Sequence, residues 1–102
     1  MKLTMSEADL QRTITDTAGL FGWHWVHIRA VQQRGRWSVP YEGMPGLPDL
    51  ILAKNGRVIL AELKSNRGAT TPDQDGWLTA AGASGRLWRP ADLPAAIEEL
   101  RS

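Results

Sequence analysis

The sequence predicts one α/β domain in three layers, with helices on both faces of a sheet. Three observations carry this. The patterned segments run in the order α-β-β-β-α-β-α. The two segments on either side of Asn55-Gly56, at about 49–53 and 58–64, are apolar at both alternating sets of positions, as strands covered on both faces are. The 102 residues, 42% of them hydrophobic, suffice for one modest core in one domain.

Residues 4–18 read as a helix, because Leu10, Ile14 and Thr17/Ala18 recur at helical spacing. Thr4 with Glu7 fits a T-x-x-E capping box, and Gly19 supplies a stop. Residues 22–29, GWHWVHIR, are aromatic and β-branched and predict a strand. Residues 30–46 contain Gly35, Pro40, Gly43, Pro45 and Gly46 and read as a long irregular loop. The Asn-Gly hairpin follows. Thr71-Pro72-Asp73-Gln74 opens a second helix, with Thr71 as N-cap, Pro72 at the first helical position and Gln74 completing T-x-x-Q. Gly82 and Gly85 punctuate its end. Residues 86–89, RLWR, form a short strand, and Asp92 caps a last helix to about 101 with Leu93, Ala96, Ile97 and Leu100 on one face.

Composition excludes several classes. Without cysteine there is no disulfide framework, no Cys-based zinc site and no thiol nucleophile. The longest apolar runs, LILA and VILA, are far too short for a transmembrane helix or a signal-peptide core. The expectation is a cytoplasmic protein without a membrane partner. A net charge of +1 exerts no global pull on nucleic acid, but charge is unevenly spread. No Asp or Glu occurs from Thr17 to Tyr41, a span holding His24, His27, Arg29, Arg34 and Arg36 among Trp23, Trp25, Trp37 and Tyr41. Such a segment suits a phosphate backbone and exposed bases. A solvated loop beside core tryptophans is the plainer alternative. His24 and His27 could touch DNA, but three apart on a strand they face opposite sides, and a core or surface role is the preferred reading for each.

The acids of the hairpin are the sharper signal. A two-residue turn at Asn55-Gly56 sets Lys54 opposite Arg57, Leu52 opposite Ile59, Leu50 opposite Ala61 and then Asp49 opposite Glu62. Opposed residues share a face with Cβ atoms roughly 4.5–5.5 Å apart. Lys64, two residues on, shares that face. Two carboxylates side by side at the end of a buried sheet are unfavourable unless one takes a proton or a cation sits between them. Mg²⁺ commonly takes one or two protein carboxylates and completes its octahedron with water and phosphate. The competing account is an ordinary Glu62–Lys64 surface pair, and a one-residue slip would send the acids to opposite faces. Glu7, with Gln11 one turn along, and Gln74 are further candidates, although each also stands at the third position of a capping box.

Pro48-Asp49, twelve residues, then Glu62-Leu63-Lys64, together with Glu7 and Gln11, Gly46-Leu47-Pro48-Asp49-Leu50 and Thr71-Pro72-Asp73-Gln74 with Trp77, resembles the PD-(D/E)XK nucleases. Within them the chain looks like the VRR-NUC branch in its small, stand-alone phage and bacterial form, over about residues 4 to 98. The resemblance implies a restriction-endonuclease-like αβββαβ core, with a mixed sheet flanked by helices and a C-terminal helix. It also implies Mg²⁺- or Mn²⁺-dependent phosphodiester hydrolysis. By position, Asp49, Glu62 and the Leu63 carbonyl would hold metal, with Glu7 completing the acidic site directly or through water. Lys64 would orient or activate the attacking water, and Gln74 would support the lysine or the scissile phosphate. Stand-alone members are similar to Holliday-junction resolvases, which implies a homodimer acting on branched DNA in a bacterial or phage-infected cell. Arg29, Arg34, Arg36 and Arg67 are the candidate DNA contacts. A nuclease on plain duplex or DNA ends, and a non-catalytic DNA-binding module on a nuclease fold, are the alternatives.

Overall fold

A computed structural model describes residues 5–38 and 40–102. Its centre is the hairpin of β4 (Leu50–Lys54) and β5 (Arg57–Leu63). Asn55 and Gly56 both take positive φ, 50° and 80°, so the turn twists with its strands and joins them without slack. The register is the one the turn predicts, from Lys54 opposite Arg57 through Leu50 opposite Ala61. β1 (His24–His27) adds antiparallel to β4, and β6 (Gly85–Trp88) adds parallel to β5, giving a mixed sheet of order β1-β4-β5-β6.

The helices flank this sheet unequally. Leu50, Leu52, Ile59, Ala61 and Leu63 share one face and are buried beneath α1 (Glu7–Leu20) and α3 (Leu93–Arg101). Leu10, Ile14 and Ala18 of α1 and Ala96 and Leu100 of α3 complete that core. The opposite face carries Val26, Ile51, Val58, Leu60 and Glu62. α2 (Pro72–Ala81) lies there, against β5 and β6. Val26 and Val58 stay 48% exposed, so the coverage of both faces read from the strand pattern holds where α2 meets β5 and β6 and is incomplete at these two valines.

Four features differ from the sequence expectation. α1 passes Gly19 and ends at Leu20, with Phe21 as its C-cap. Gly22 at φ 85° donates to the Gly19 carbonyl and Trp23 N–H donates to Ala18, a Schellman closure that needs glycine at that step. Ser6 caps this helix by accepting from Asp9 N–H, which puts Glu7 at the first helical position, while Thr4 of the expected capping box lies outside the described residues. Residues 30–46 are not wholly irregular: β2 (Val31–Gln33) and β3 (Arg36–Ser38) form a separate hairpin around Arg34 and Gly35, both at positive φ. Asp92 does not cap α3 with its side chain; its carboxylate turns back to accept from Arg89 N–H at 2.9 Å across a 3-10 turn. The capping box at Thr71 and Gln74 forms with both of its hydrogen bonds.

Long-range polar bonds finish the assembly. Arg86 of β6 grips Glu99 of α3, with its closest contact at 2.6 Å. The Trp23 indole N–H donates to the Leu100 carbonyl at 2.8 Å, satisfying an acceptor that the end of α3 leaves free. Among the described residues, no helix is long and apolar enough to cross a membrane. Replacing Trp23 with Phe keeps the ring but strands that buried carbonyl. Urea unfolding of Trp23→Phe should show a loss of about 1–3 kcal/mol with an unchanged circular dichroism spectrum.

Candidate functional site

The open end of the β4–β5 pair gathers the polar residues. Asp49 precedes β4 by one residue and continues its line. Its carbonyl accepts from Ile28 N–H at 2.7 Å, and its carboxylate Oδ2 accepts from Leu63 N–H at 2.8 Å. Glu62, next to Leu63, is 2% exposed. Its Oε2 accepts from Gln74 Nε2 at 3.2 Å and lies 4.0 Å from Lys64 Nζ. Its Oε1 is buried without a hydrogen-bond partner, an unusual state for a carboxylate oxygen. Burial raises the Glu62 pKa from 4.5 to about 8; the charge of Asp49 and a hydrogen bond that the protonated acid can make to the Asp49 carboxylate push the same way, Lys64 opposes, and the charge of Glu7 adds a little to the rise.

Local chemistry explains why these side chains are held here. Gln74 serves two purposes with the two ends of one amide: its oxygen accepts from Thr71 N–H in the capping box, and its nitrogen reaches Glu62. Capping therefore orients the amide for the site. The segment before Asp49 is locked onto the start of α2. Gly46 has φ 92°, and a Cβ there would come within 2.5–2.8 Å of Asp73, so only glycine fits. The Tyr41 hydroxyl donates to the Met44 carbonyl and accepts from Leu47 N–H, while the Trp77 indole donates to the same Met44 carbonyl. Trp77 is thus the anchor of the loop that delivers Pro48 and Asp49.

Asp49 stands between two clefts. One is lined by Glu7, Gln11, His27 and Leu63 beside Asp49. The other is lined by Ile28, Ala30, Tyr41, Gly46, Asp73 and Gln74 beside the same residue. Glu7 thus shares a cleft with Asp49, yet among the described residues no group of three or more His, Asp or Glu is drawn together as a ready cation cage. Gln11 spends its amide on Thr15 within α1. His27 and Tyr41 line these clefts although sequence reasoning did not place them there. His27 reaches its cleft because β1 pairs with β4 and sets it opposite Leu50, one residue from Asp49, a pairing that no local sequence signal specifies. Arg29, Arg34, Arg36 and Arg67 are all exposed, and none has an ion-pair partner among the described residues. Arg34 and Arg36 ride on the β2–β3 hairpin, and Arg67 lies on the loop after β5.

Comparison with protein-family models, with curated proteins and with solved structures gives no match in any of the three.

The raised Glu62 pKa has a stability consequence in metal-free protein. The folded state keeps a proton that the unfolded state surrenders, so stability falls as pH rises from 4.5 to about 8 and is then level with respect to this group. Glu62→Gln, which carries no charge to bury, should lose less stability over that window. Thermal melts in EDTA at pH 5 and pH 9 should show the variant gaining on the wild type at the higher pH. Gly46→Ala should cost about 1–3 kcal/mol or more from backbone strain, measurable by chemical denaturation.

Proposed function

We propose that the protein is a Mg²⁺- or Mn²⁺-dependent DNA endonuclease of the PD-(D/E)XK type, similar to the VRR-NUC nucleases, that hydrolyses phosphodiesters in branched DNA as a homodimer. The observation that carries this reading is the unpartnered, buried Oε1 of Glu62 at the side of Asp49. An all-oxygen pair of acids in which one can ionise only at a cost fits a hard divalent cation, which would take the place of the proton on Glu62 and engage its otherwise unpartnered Oε1. Asp49 and Glu62 would hold it, with the Leu63 carbonyl and Glu7 as the additional ligands that the sequence resemblance implies. When bound, the cation lowers the pKa of a coordinated water and stabilises charge on the phosphate.

The remaining work falls to side chains in hand. The Lys64 ammonium, 4.0 Å from Glu62 Oε2, places positive charge where anionic charge grows during in-line attack. Gln74 steadies the Glu62 carboxylate through Oε2 and leaves Oε1 without a hydrogen-bond partner. Leu63 N–H fixes the Asp49 carboxylate in the same way. Water oxygen joins phosphorus, the bond to the 3′ oxygen breaks, and that oxygen takes up a proton, leaving 3′-hydroxyl and 5′-phosphate ends. Selection of branched DNA would rest on phosphate contacts from Arg29, Arg34, Arg36 and Arg67 and on the spacing of two sites across a twofold axis.

Glu62→Ala and Lys64→Ala should each lower the cutting of four-way and flap DNA by at least about 10²–10³-fold in Mn²⁺, with an unchanged circular dichroism spectrum. Wild-type cutting by both variants would refute the assigned site. A panel of duplex, flap, splayed and four-way DNAs tests the substrate, since equal cutting of plain duplex removes the branched-DNA reading. Sedimentation showing only monomer while four-way DNA is cut at full rate removes the dimer.

A further inference from the structure

The β2–β3 hairpin is not explained by the fold. Its strands pair with each other as a two-stranded sheet separate from the main one, and among the described residues no other strand pairs with them. It nonetheless exposes the indole of Trp37, at 72%, alongside Gln32, its cross-strand partner. Small isolated hairpins gain little stability in water, and an exposed tryptophan on one does nothing for the core. Its stems tell where it stands: Ile28 and Ala30 before β2, and Tyr41 after β3, line the cleft that Asp49 and Gln74 share. The hairpin therefore rises from the wall of the candidate site.

We infer that this hairpin is a DNA-reading element in which Trp37 stacks on an unpaired base at a branch point, while Arg29, Arg34 and Arg36 take the flanking phosphates. The inference rests on the nuclease reading and names the feature of the substrate it selects. The chemistry of the partner follows from two properties of the hairpin. No Asp or Glu occurs from Thr17 to Tyr41, and the three arginines are exposed with no ion-pair partner among the described residues, so the partner is anionic. An exposed indole offers a flat π face, and the anionic polymer that offers one in return is a nucleic acid with a base out of its stack. Continuous duplex hides both faces of every base, whereas a flap or junction exposes them. Trp37 is thereby a specificity residue, and the arginines bind either form.

Fluorescence anisotropy of labelled flap, four-way and duplex DNAs, in EDTA so that nothing is cut, tests this with wild type, Trp37→Ala and Trp37→Phe. The expected result is about tenfold weaker binding of Trp37→Ala to flap and four-way DNA, the scale of one base–aromatic stack, with duplex binding changed by less than about twofold. Trp37→Phe should recover most of the loss. A 2-aminopurine at the branch point should be quenched by wild type and by Trp37→Phe but not by Trp37→Ala. Equal losses on all three DNAs, or no loss on any, overturn the stacking role while leaving a nuclease that still cuts. If Trp37→Ala instead converts dimer to monomer in sedimentation, the hairpin is a protein interface and the inference falls. If the wild type neither binds nor cuts any of these DNAs, the nuclease reading falls and takes this inference with it.

Discussion

A carboxylate held almost wholly out of water beside a second carboxylate is the constraint around which the rest of this protein is arranged. Burying Glu62 costs free energy twice, through desolvation and through the charge of Asp49. A fold selected only for stability would place an apolar residue there, as it does at Leu50, Leu52 and Leu63. Instead the surroundings are built to keep the unfavourable pair in one geometry. Leu63 N–H holds Asp49 and Gln74 holds Glu62, while Lys64 offsets part of the charge. One oxygen, Glu62 Oε1, is left over. That leftover oxygen, at an open sheet end, is the observation on which the proposed metal site rests.

The supports of that site are themselves coupled. The Asn55-Gly56 turn sets which residues of β4 and β5 face each other and hence whether the two acids meet at all. The approach of Gly46 to Asp73 docks the segment before Asp49 on α2, and the capping box of α2 aims the Gln74 amide at Glu62. A turn, a glycine contact and a helix cap, each local, converge on two carboxylates. The uneven sheet coverage fits the same arrangement, because α2 lies over β5 and β6, where Gln74 is needed, and leaves Val26 and Val58 open.

Much of this was legible because the signals are local. Strand period, Asn-Gly turn chemistry and the T-x-x-Q box depend on residues within a few positions of one another, so the β4–β5 register and the start of α2 follow from the chain alone. The end of α1 did not, since Gly19 and Gly22 both offer a stop. The choice falls to Gly22 because Ala18 must lie in the core and Trp23 must turn in beneath α3. The β2–β3 hairpin was hidden by its turn, where Arg34 adopts a left-handed conformation that arginine seldom takes. The Asp92 side chain was misassigned because a carboxylate near a helix start can serve either of two backbone N–H groups, and the 3-10 turn before α3 decides between them.

The sequence by itself determined the β4–β5 register up to Leu50 opposite Ala61, which brings Asp49 and Glu62 to one end of the sheet, and the capping role of Gln74, since pleat, turn and cap are properties of neighbouring residues. Tertiary structure alone decided how deeply Glu62 is buried, that its Oε1 has no partner, and that Gln74, twelve residues away, supplies the bond to Oε2. It also decided that His27 and Tyr41 line the clefts at Asp49 and that the hairpin carrying Trp37 rises from one of them. These depend on where α1, α2 and the 41–47 loop come to rest against the sheet, and that is set by packing across the whole core rather than by any stretch of chain.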